Sequence, residues 1–563
     1  MKRLLNPFVA IVFVFAFSVL GFSSATNVYI TPNGASQGNC KTNPQTPAWF
    51  NSSANWGSGS IQIGPGTMVL FCGTFTDVVN GILLTARGSG ASGNPITLKF
   101  DTAAVWQSPA ENTFLQLDGQ SHFIVDGGTT CGWVSQNVTT CNGTIQNTGN
   151  GTNLANHNHG SAGISASGSA DVEIRNLQIG PIYLKVGTGD QLNGAPGPQC
   201  VRITNPSNAG FTGINIHNNI MHDVGWCVWG GANTLTISNN EIYYLDHGLG
   251  FGNNTDGTST WSGISIHDNH LHDFVAWDTS SNDFHHDGFH FFAYAANGTD
   301  FNTKNIIENI NIYNNLFDGD WGVNNTANIF FEGNEQNANI FNNVTVVYPG
   351  RQLNNGLYNG YGTNINFYNN TAIGSGSGYQ TQKFSIFTGV GFNIKNNIWT
   401  DGGTISTNGP FPNDCPGYTP CQSTSYKLSN NAFLAPLDFS NGFGFYLNGG
   451  GGNGFLNFNP SGFNSFESGA GETGGVFKDT KPTSSYLNTS TGQELSGSPT
   501  VGAGANLASL CTKNGGSLPD ALCSDIAGNP RPGVGGGNWD IGAYYSSSNP
   551  PPPAPTGLAS VVQ

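Results

Sequence analysis

Five titratable side chains fall within eight residues of a chain that is otherwise sparing with charge. The stretch Asn282-Asp-Phe-His-His-Asp-Gly-Phe-His290 carries Asp283, His285, His286, Asp287 and His290, while charged residues are only 9% of the 563. Asp246-His247 upstream and Glu332 downstream have the same character. Carboxylates paired with imidazoles suit acid–base work, and two carboxylates flanking a sugar linkage are what glycoside hydrolysis needs. We therefore take Asp246, Asp287 and Glu332 as the acid/base set. Asp283, His247, His286 and His290 become orienting or substrate-binding groups, joined by Arg351 and Tyr358 from a loop further on. His286 and His290 are four apart, as in helical zinc motifs. On a strand that spacing separates them by ~13 Å on one face, so no metal site is assigned to them.

Something must bring these distant groups together, and a repeated phrase supplies it. Alternating apolar residues followed by Asn-Asn or a close variant recur as Ile214-Asn-Ile-His-Asn-Asn-Ile220, Leu235-Thr-Ile-Ser-Asn-Asn-Glu241 and Ile264-Ser-Ile-His-Asp-Asn-His270. They continue as Ile310-Asn-Ile-Tyr-Asn-Asn-Leu316, Asn339-Ile-Phe-Asn-Asn-Val344, Ile365-Asn-Phe-Tyr-Asn-Asn-Thr371 and Phe392-Asn-Ile-Lys-Asn-Asn-Ile398. The equivalent residues Asn219, Asn240, Asn269, Asn315, Asn343, Asn370 and Asn397 are 21, 29, 46, 28, 27 and 27 apart. A period of this size with two-residue alternation means stacked β coils, each pairing with the coils above and below. The interval of 46 is either a skipped coil or an insertion. Asn tolerates the left-handed conformation at a sharp bend, and stacked Asn side chains can bond to one another along the stack.

The pattern resembles the right-handed parallel β-helix proteins of the pectin-lyase-like superfamily, over roughly residues 26–545. The expected fold is thus all-β, a single-stranded right-handed parallel β-helix with long loops. Val28-Tyr-Ile-Thr-Pro-Asn-Gly34 and Gly66-Thr-Met-Val-Leu-Phe-Cys-Gly-Thr-Phe75 are similar to the opening of such secreted proteins. Gly497-Ser-Pro499, Gly528-Asn-Pro-Arg-Pro532 and Asp540-Ile-Gly-Ala-Tyr544 are similar to their closing segment. The resemblance implies a cap and first coils over 26–130, central coils over 131–435, and C-terminal coils with a closing segment over 436–545.

In that fold the apolar cores align Asp246-His247 one coil before Asp287 and Glu332 one coil after it. If Phe289 and Phe291 face inward, His290 faces outward. Asp223, Asp273, Asp318 and Asp320 extend a band of acids and imidazoles along one side, while His217, His222, His267, His270 and His272 are expected as exposed coil positions. Adjacent coils are about 4.8 Å apart, near the ~5–5.5 Å carboxylate separation of retaining glycosidases. The acid motifs of pectin hydrolases (Asn-Thr-Asp, Gly-Asp-Asp, Arg-Ile-Lys) are absent. A lyase is the competing enzyme. It would use Arg351, Lys383 or Lys395 as base and Ca²⁺ against a uronate carboxylate, but a formal charge of −16 repels polyuronates at long range. A non-catalytic glycan-binding surface is the alternative from another class.

Composition narrows the partners. The acidic balance opposes nucleic acid binding, and no phosphate-cradling Gly-rich motif points to a nucleotide. Residues 1–25, with Lys2, Arg3 and an apolar run from Phe8 to Leu20, read as a secretory signal. No later stretch is long and apolar enough to span a membrane, so the protein is expected outside the cell as a monomer acting on a polysaccharide. Ten Cys in an exported chain favour disulfides. Neighbour pairing (40–72, 131–141, 200–227, 415–421, 511–523) is the simplest of the open connectivities. Residues 546–563 form a Pro-rich tail.

Overall fold

The computed structural model describes residues 25–76, 82–110, 113–149, 161–183, 198–204, 212–252, 260–278, 285–293, 305–347, 356–374, 382–400, 404–407, 426–434, 445–447, 456–458, 471–478 and 481–546. The proposed signal, Asp283, Arg351, Cys415, Cys421 and the Pro-rich tail beyond 546 lie outside these residues, as does the Lys383 side chain.

The chain is a right-handed parallel β-helix. Each coil contributes a strand to three sheets. The apolar–Asn phrases form the first sheet, stacked in register: Ile216 lies beside Ile237, Ile237 beside Ile266, Ile266 beside Ile312 and Ile312 beside Ile340. These residues are buried in one continuous core, where each side chain of this size contributes about 1.5–3 kcal/mol. A second sheet follows each Asn turn, with Ile242 beside Leu271 and Leu271 beside Phe317. The third sheet includes the distal halves of the long strands Ile220–Gly230 and Glu241–Gly252, then His286–Phe292 and Asn325–Phe331.

The two residues of each Asn turn divide the work. The first takes the left-handed conformation, with φ of 57° at Asn218, 55° at Asn239, Asp268, Asn314, Asn342 and Asn369, and 58° at Asn396. The second turns inward and builds a ladder. The Nδ2 of Asn219 donates to Oδ1 of Asn240 at 3.0 Å, and the same bond links Asn240 to Asn269, Asn269 to Asn315, Asn315 to Asn343, Asn343 to Asn370, Asn370 to Asn397 and Asn397 to Asn431. The ladder ends on a carboxylate, with Asn431 Nδ2 donating to Glu472 Oε2 at 2.8 Å. Because Asn269 bonds directly to Asn315, the interval of 46 is an insertion within one coil. That long coil carries the His/Asp cluster.

A five-residue helix, Pro47–Asn51, lays Phe50 against Phe71 in the first coils. Residues 481–546 hold little regular structure and pack sideways on the coils. Leu507, Leu522 and Trp539 cover Phe341 and Tyr368, and the buried Arg531 donates to the carbonyls of Gly542, Ala543 and Tyr544.

Disulfides join Cys40–Cys72, Cys131–Cys141 and Cys511–Cys523. The expected 200–227 bridge is not formed. Both cysteines are buried as free thiols in the core, and Cys200 Sγ donates to the Ile179 carbonyl. They act there as small apolar side chains. Burial, then the neighbouring Cys227, pushes the Cys200 thiol well above its ordinary pKa.

Candidate active site on the third sheet

The register of the third sheet decides what the acidic residues can reach. His247 lies beside Asp287, Leu249 beside Phe289 and Gly250 beside His290. On the other side Phe289 pairs with Ile329 and Phe291 with Phe331. Phe289 and Phe291 are in the core, as the alternation requires. His290 has Trp226, Phe292 and Phe330 around its ring instead. A bulge between His286 and Asp287 shifts the register, so that Asp287 pairs with Ala327. Glu332 is therefore five residues beyond the partner of Asp287, and the carboxylates do not line up along the stack as coil spacing alone suggests.

Asp246 is fully withdrawn from solvent. Its Oδ2 accepts from His247 Nδ1 at 2.8 Å and its Oδ1 from His286 Nδ1 at 2.9 Å. Burial alone would raise its pKa, but His247 and then His286 outweigh burial and pull it down to about 2. His286 is closed on its other side by Asp278 Oδ1 at 3.0 Å. Asp278 comes from the insertion, and it also accepts the backbone N–H groups of Val323 and Asn324. Every polar atom of the His286 ring is thus engaged, and the ring orients Asp246.

Asp287 sits deeper still. Its Oδ1 accepts the Ala327 N–H at 3.1 Å. Around its Oδ2 stand three imidazole nitrogens: His285 Nε2 at 3.0 Å, His247 Nε2 at 3.3 Å and His290 Nδ1 at 3.4 Å. Burial opposes the charged form, yet His285 first and then the other rings hold the carboxyl well below the usual range. His290 Nε2 donates to Glu332 Oε2 at 2.8 Å. The Glu332 side chain is 33% exposed and that of His285 47%, so these two are the site's open groups.

Aromatic rings frame them. Trp226 stacks on His247 with centroids 3.9 Å apart and meets Trp229 edge-on at 4.6 Å. Trp229 in turn stacks on Phe292, and Phe330 stacks on His290. Gly250 makes room for Trp226: a Cβ there would lie 2.0 Å from the indole.

The structure thus gathers Asp246, His247, His286, Asp287, His290 and Glu332. It does not bring in Tyr358. The Tyr358 ring is in the core, edge-on to Phe331 and Phe367, and its hydroxyl donates to the Tyr361 carbonyl. A ring with no exposed face cannot stack on a sugar, so its expected substrate role is corrected to a packing one. The expected single acidic band is also two bands. Glu241, His270, His272, Asp273 and Asp318 form a separate network on the second sheet. His270 and His222 there are buried, not exposed as expected. Trp226, Phe330 and Asp278 were missed as site residues. Trp226 had one usable signal: it precedes His247 by 21 residues, the same interval as Asn219 to Asn240.

No protein-family model matches this chain, and no curated protein sequence does either. Among solved structures, a pectate lyase, Pel9A, is similar at a TM-score of 0.36 and 12% identity, over 94% of this chain and 98% of that one. A GH136 lacto-N-biosidase from Eubacterium ramulus is similar at 0.35 and 11%, over 73% of this chain and 64% of that one. An alginate lyase from Paenibacillus sp. str. FPU-7 is similar at 0.26 and 12%, over 69% and 96%. The parallel β-helix itself is read from this chain's own strand pairing.

Proposed function

We propose that this protein is an extracellular enzyme that cleaves polysaccharide chains lying across the outer face of the third sheet. The observation that carries the reading is the partly exposed Glu332 carboxylate, held by His290 at 2.8 Å beside the half-buried ring of Trp226. Aromatic faces suit sugar rings, and a carboxylate in contact with an imidazole suits proton transfer at the linkage. Glu332 is the residue expected to exchange a proton with substrate, and His290 orients it. Asp246 and Asp287 hold the imidazoles from within. Three disulfides fit the oxidising environment outside the cell.

Hydrolysis, with Glu332 as one of two carboxylates, is the first reading. Elimination is the second, and it is favoured by the withdrawal of Asp246 and Asp287 into ion pairs, which leaves Glu332 as the exposed carboxylate of the three. A polysaccharide panel scored for reducing ends and for absorbance at ~235 nm separates the two, since elimination alone creates the unsaturated product. Glu332→Gln should abolish either signal while the fold is retained. Retention of a polymer with no turnover by the parent protein would overturn the enzyme reading in favour of a binder.

A further inference from the structure

We propose that His247, His285, Asp287 and His290 together hold one divalent transition-metal ion of the zinc class. The four donor atoms lie within 4.8 Å of one another. The separations from Asp287 Oδ2 to the three imidazole nitrogens are 3.0, 3.3 and 3.4 Å. Ligands bound tetrahedrally at about 2.0–2.1 Å stand roughly 3.3–3.4 Å apart, so the spacing is that of groups sharing a central ion.

A second observation points the same way. His247 Nε2, Asp287 Oδ2 and His290 Nδ1 are buried polar atoms without a hydrogen-bond partner. Their residues are 1%, 0% and 5% exposed. Burying three such atoms beside one another without compensation leaves each with its full desolvation penalty. Protons resolve the arrangement poorly: His247 Nε2 and His290 Nδ1 lie 3.3 and 3.4 Å from Asp287 Oδ2, at the long edge of hydrogen-bond distance, and neither closes a well-aligned bond to it. A cation on the lone-pair axes satisfies all three atoms at once.

The surrounding carboxylates complete the argument. His247 gives its other nitrogen to Asp246 and His290 gives its other nitrogen to Glu332, each at 2.8 Å. This is the carboxylate–histidine arrangement that fixes the tautomer and aims the free nitrogen at a metal. The Glu241–His270–His272 cluster on the second sheet provides a contrast within the same molecule. There both His270 nitrogens and both His272 nitrogens are paired with carboxylates, so nothing is left over for an ion. Three imidazoles and one carboxylate suit zinc or a neighbouring late transition metal and do not suit Ca²⁺, which takes six to eight oxygens. The Ca²⁺ considered for a lyase therefore does not fit these four residues. His285 is the open corner of the set, its side chain 47% exposed.

The test needs no polymer, so it fails or succeeds independently of the proposed activity. The purified full chain is stripped with a chelator, incubated with Zn²⁺ or Co²⁺, desalted and assayed for metal by mass spectrometry. One equivalent per chain is expected, with the visible absorption of tetrahedral Co²⁺. His285→Ala alters an exposed residue and should keep the fold, as judged by circular dichroism, yet lower metal affinity at least tenfold. Asp246→Asn, which removes the carboxylate behind His247 and changes the acceptor of His286 as well, should weaken binding about 10–100-fold with the fold retained by circular dichroism. A parent protein that retains neither metal overturns the proposal, as does binding that is unchanged in both variants.

Discussion

Replacing Asn315 with Ala tests whether the Asn ladder stabilises the coil stack. Its side chain takes part in five hydrogen bonds. Oδ1 accepts from the Asn269 backbone N–H at 3.1 Å and from Asn269 Nδ2 at 2.9 Å, and Nδ2 donates at 3.0 Å to Ile266 O, Tyr313 O and Asn343 Oδ1. Truncation leaves some of these partners provided for. Asn269 Nδ2 keeps Ile237 O and His267 O, and Asn343 Oδ1 keeps the Asn315 backbone N–H. The buried backbone N–H of Asn269 loses its side-chain acceptor. One orphaned donor at about 1–3 kcal/mol, with roughly 0.5–1.5 kcal/mol for each of the two bonds lost to Ile266 O and Tyr313 O, predicts a total of about 2–6 kcal/mol. Asn315→Asp should be worse than Ala, because a second oxygen would face three acceptors and bring a buried charge. The assay is urea unfolding of the three proteins, followed by tryptophan fluorescence, with Asn137→Ala as an exposed control whose side chain donates to Ser135 O. If Asn315→Ala unfolds at the same urea concentration as Asn137→Ala, the ladder does not stabilise the stack.

Three further outcomes are expected. Glu335 has both carboxylate oxygens buried and unpaired, and burial, reinforced by Glu332, raises its pKa well above 4.5. The folded protein then holds a proton that the unfolded chain releases, so stability falls as pH rises from about 4.5 toward the folded value; Glu335→Gln should flatten that fall and unfold at higher urea than the parent at pH 8. Tyr358→Phe removes one hydroxyl bond in the core and should cost about 1 kcal/mol while leaving the KM for any polymer substrate unchanged, whereas a raised KM would restore the sugar-contact role. Gly250→Ala places a methyl against the Trp226 indole and should cost about 1–3 kcal/mol with a shift in tryptophan emission; unchanged emission would mean that Trp226 is not held over His247.

The first sheet was legible because its signal is local. Apolar alternation and the Asn pair recur within seven residues, and a two-residue period admits only one face for the core. The register Ile216–Ile237–Ile266–Ile312 follows directly from those copies. The third sheet was less legible. His247, Asp287 and Ala327 are each 40 residues apart, while the Asn intervals beside them are 29 and 46. Insertions on either side of each turn shift one sheet without shifting the other. Glu332 was expected beside Asp287, but a constant offset of 40 residues pairs Asp287 with Ala327 and leaves Glu332 five residues further on, at the far end of His290. Tyr358 read as a loop residue because no Asn phrase precedes it directly, yet it opens a strand that continues into one.

From sequence alone come the parallel stack, the Asn turns, the core alternation and the residue types of the site, since each depends on contacts a few residues long or on a strict period. The direction in which each imidazole nitrogen points belongs to the tertiary structure. Asp246 turns His247, Glu332 turns His290, and an insertion brings Asp278 to His286 from eight residues away. Glu332 reaches His290, and Asp246 reaches His286, across neighbouring coils, and a convergence of atoms within a few ångströms is settled only when the whole stack has closed around it.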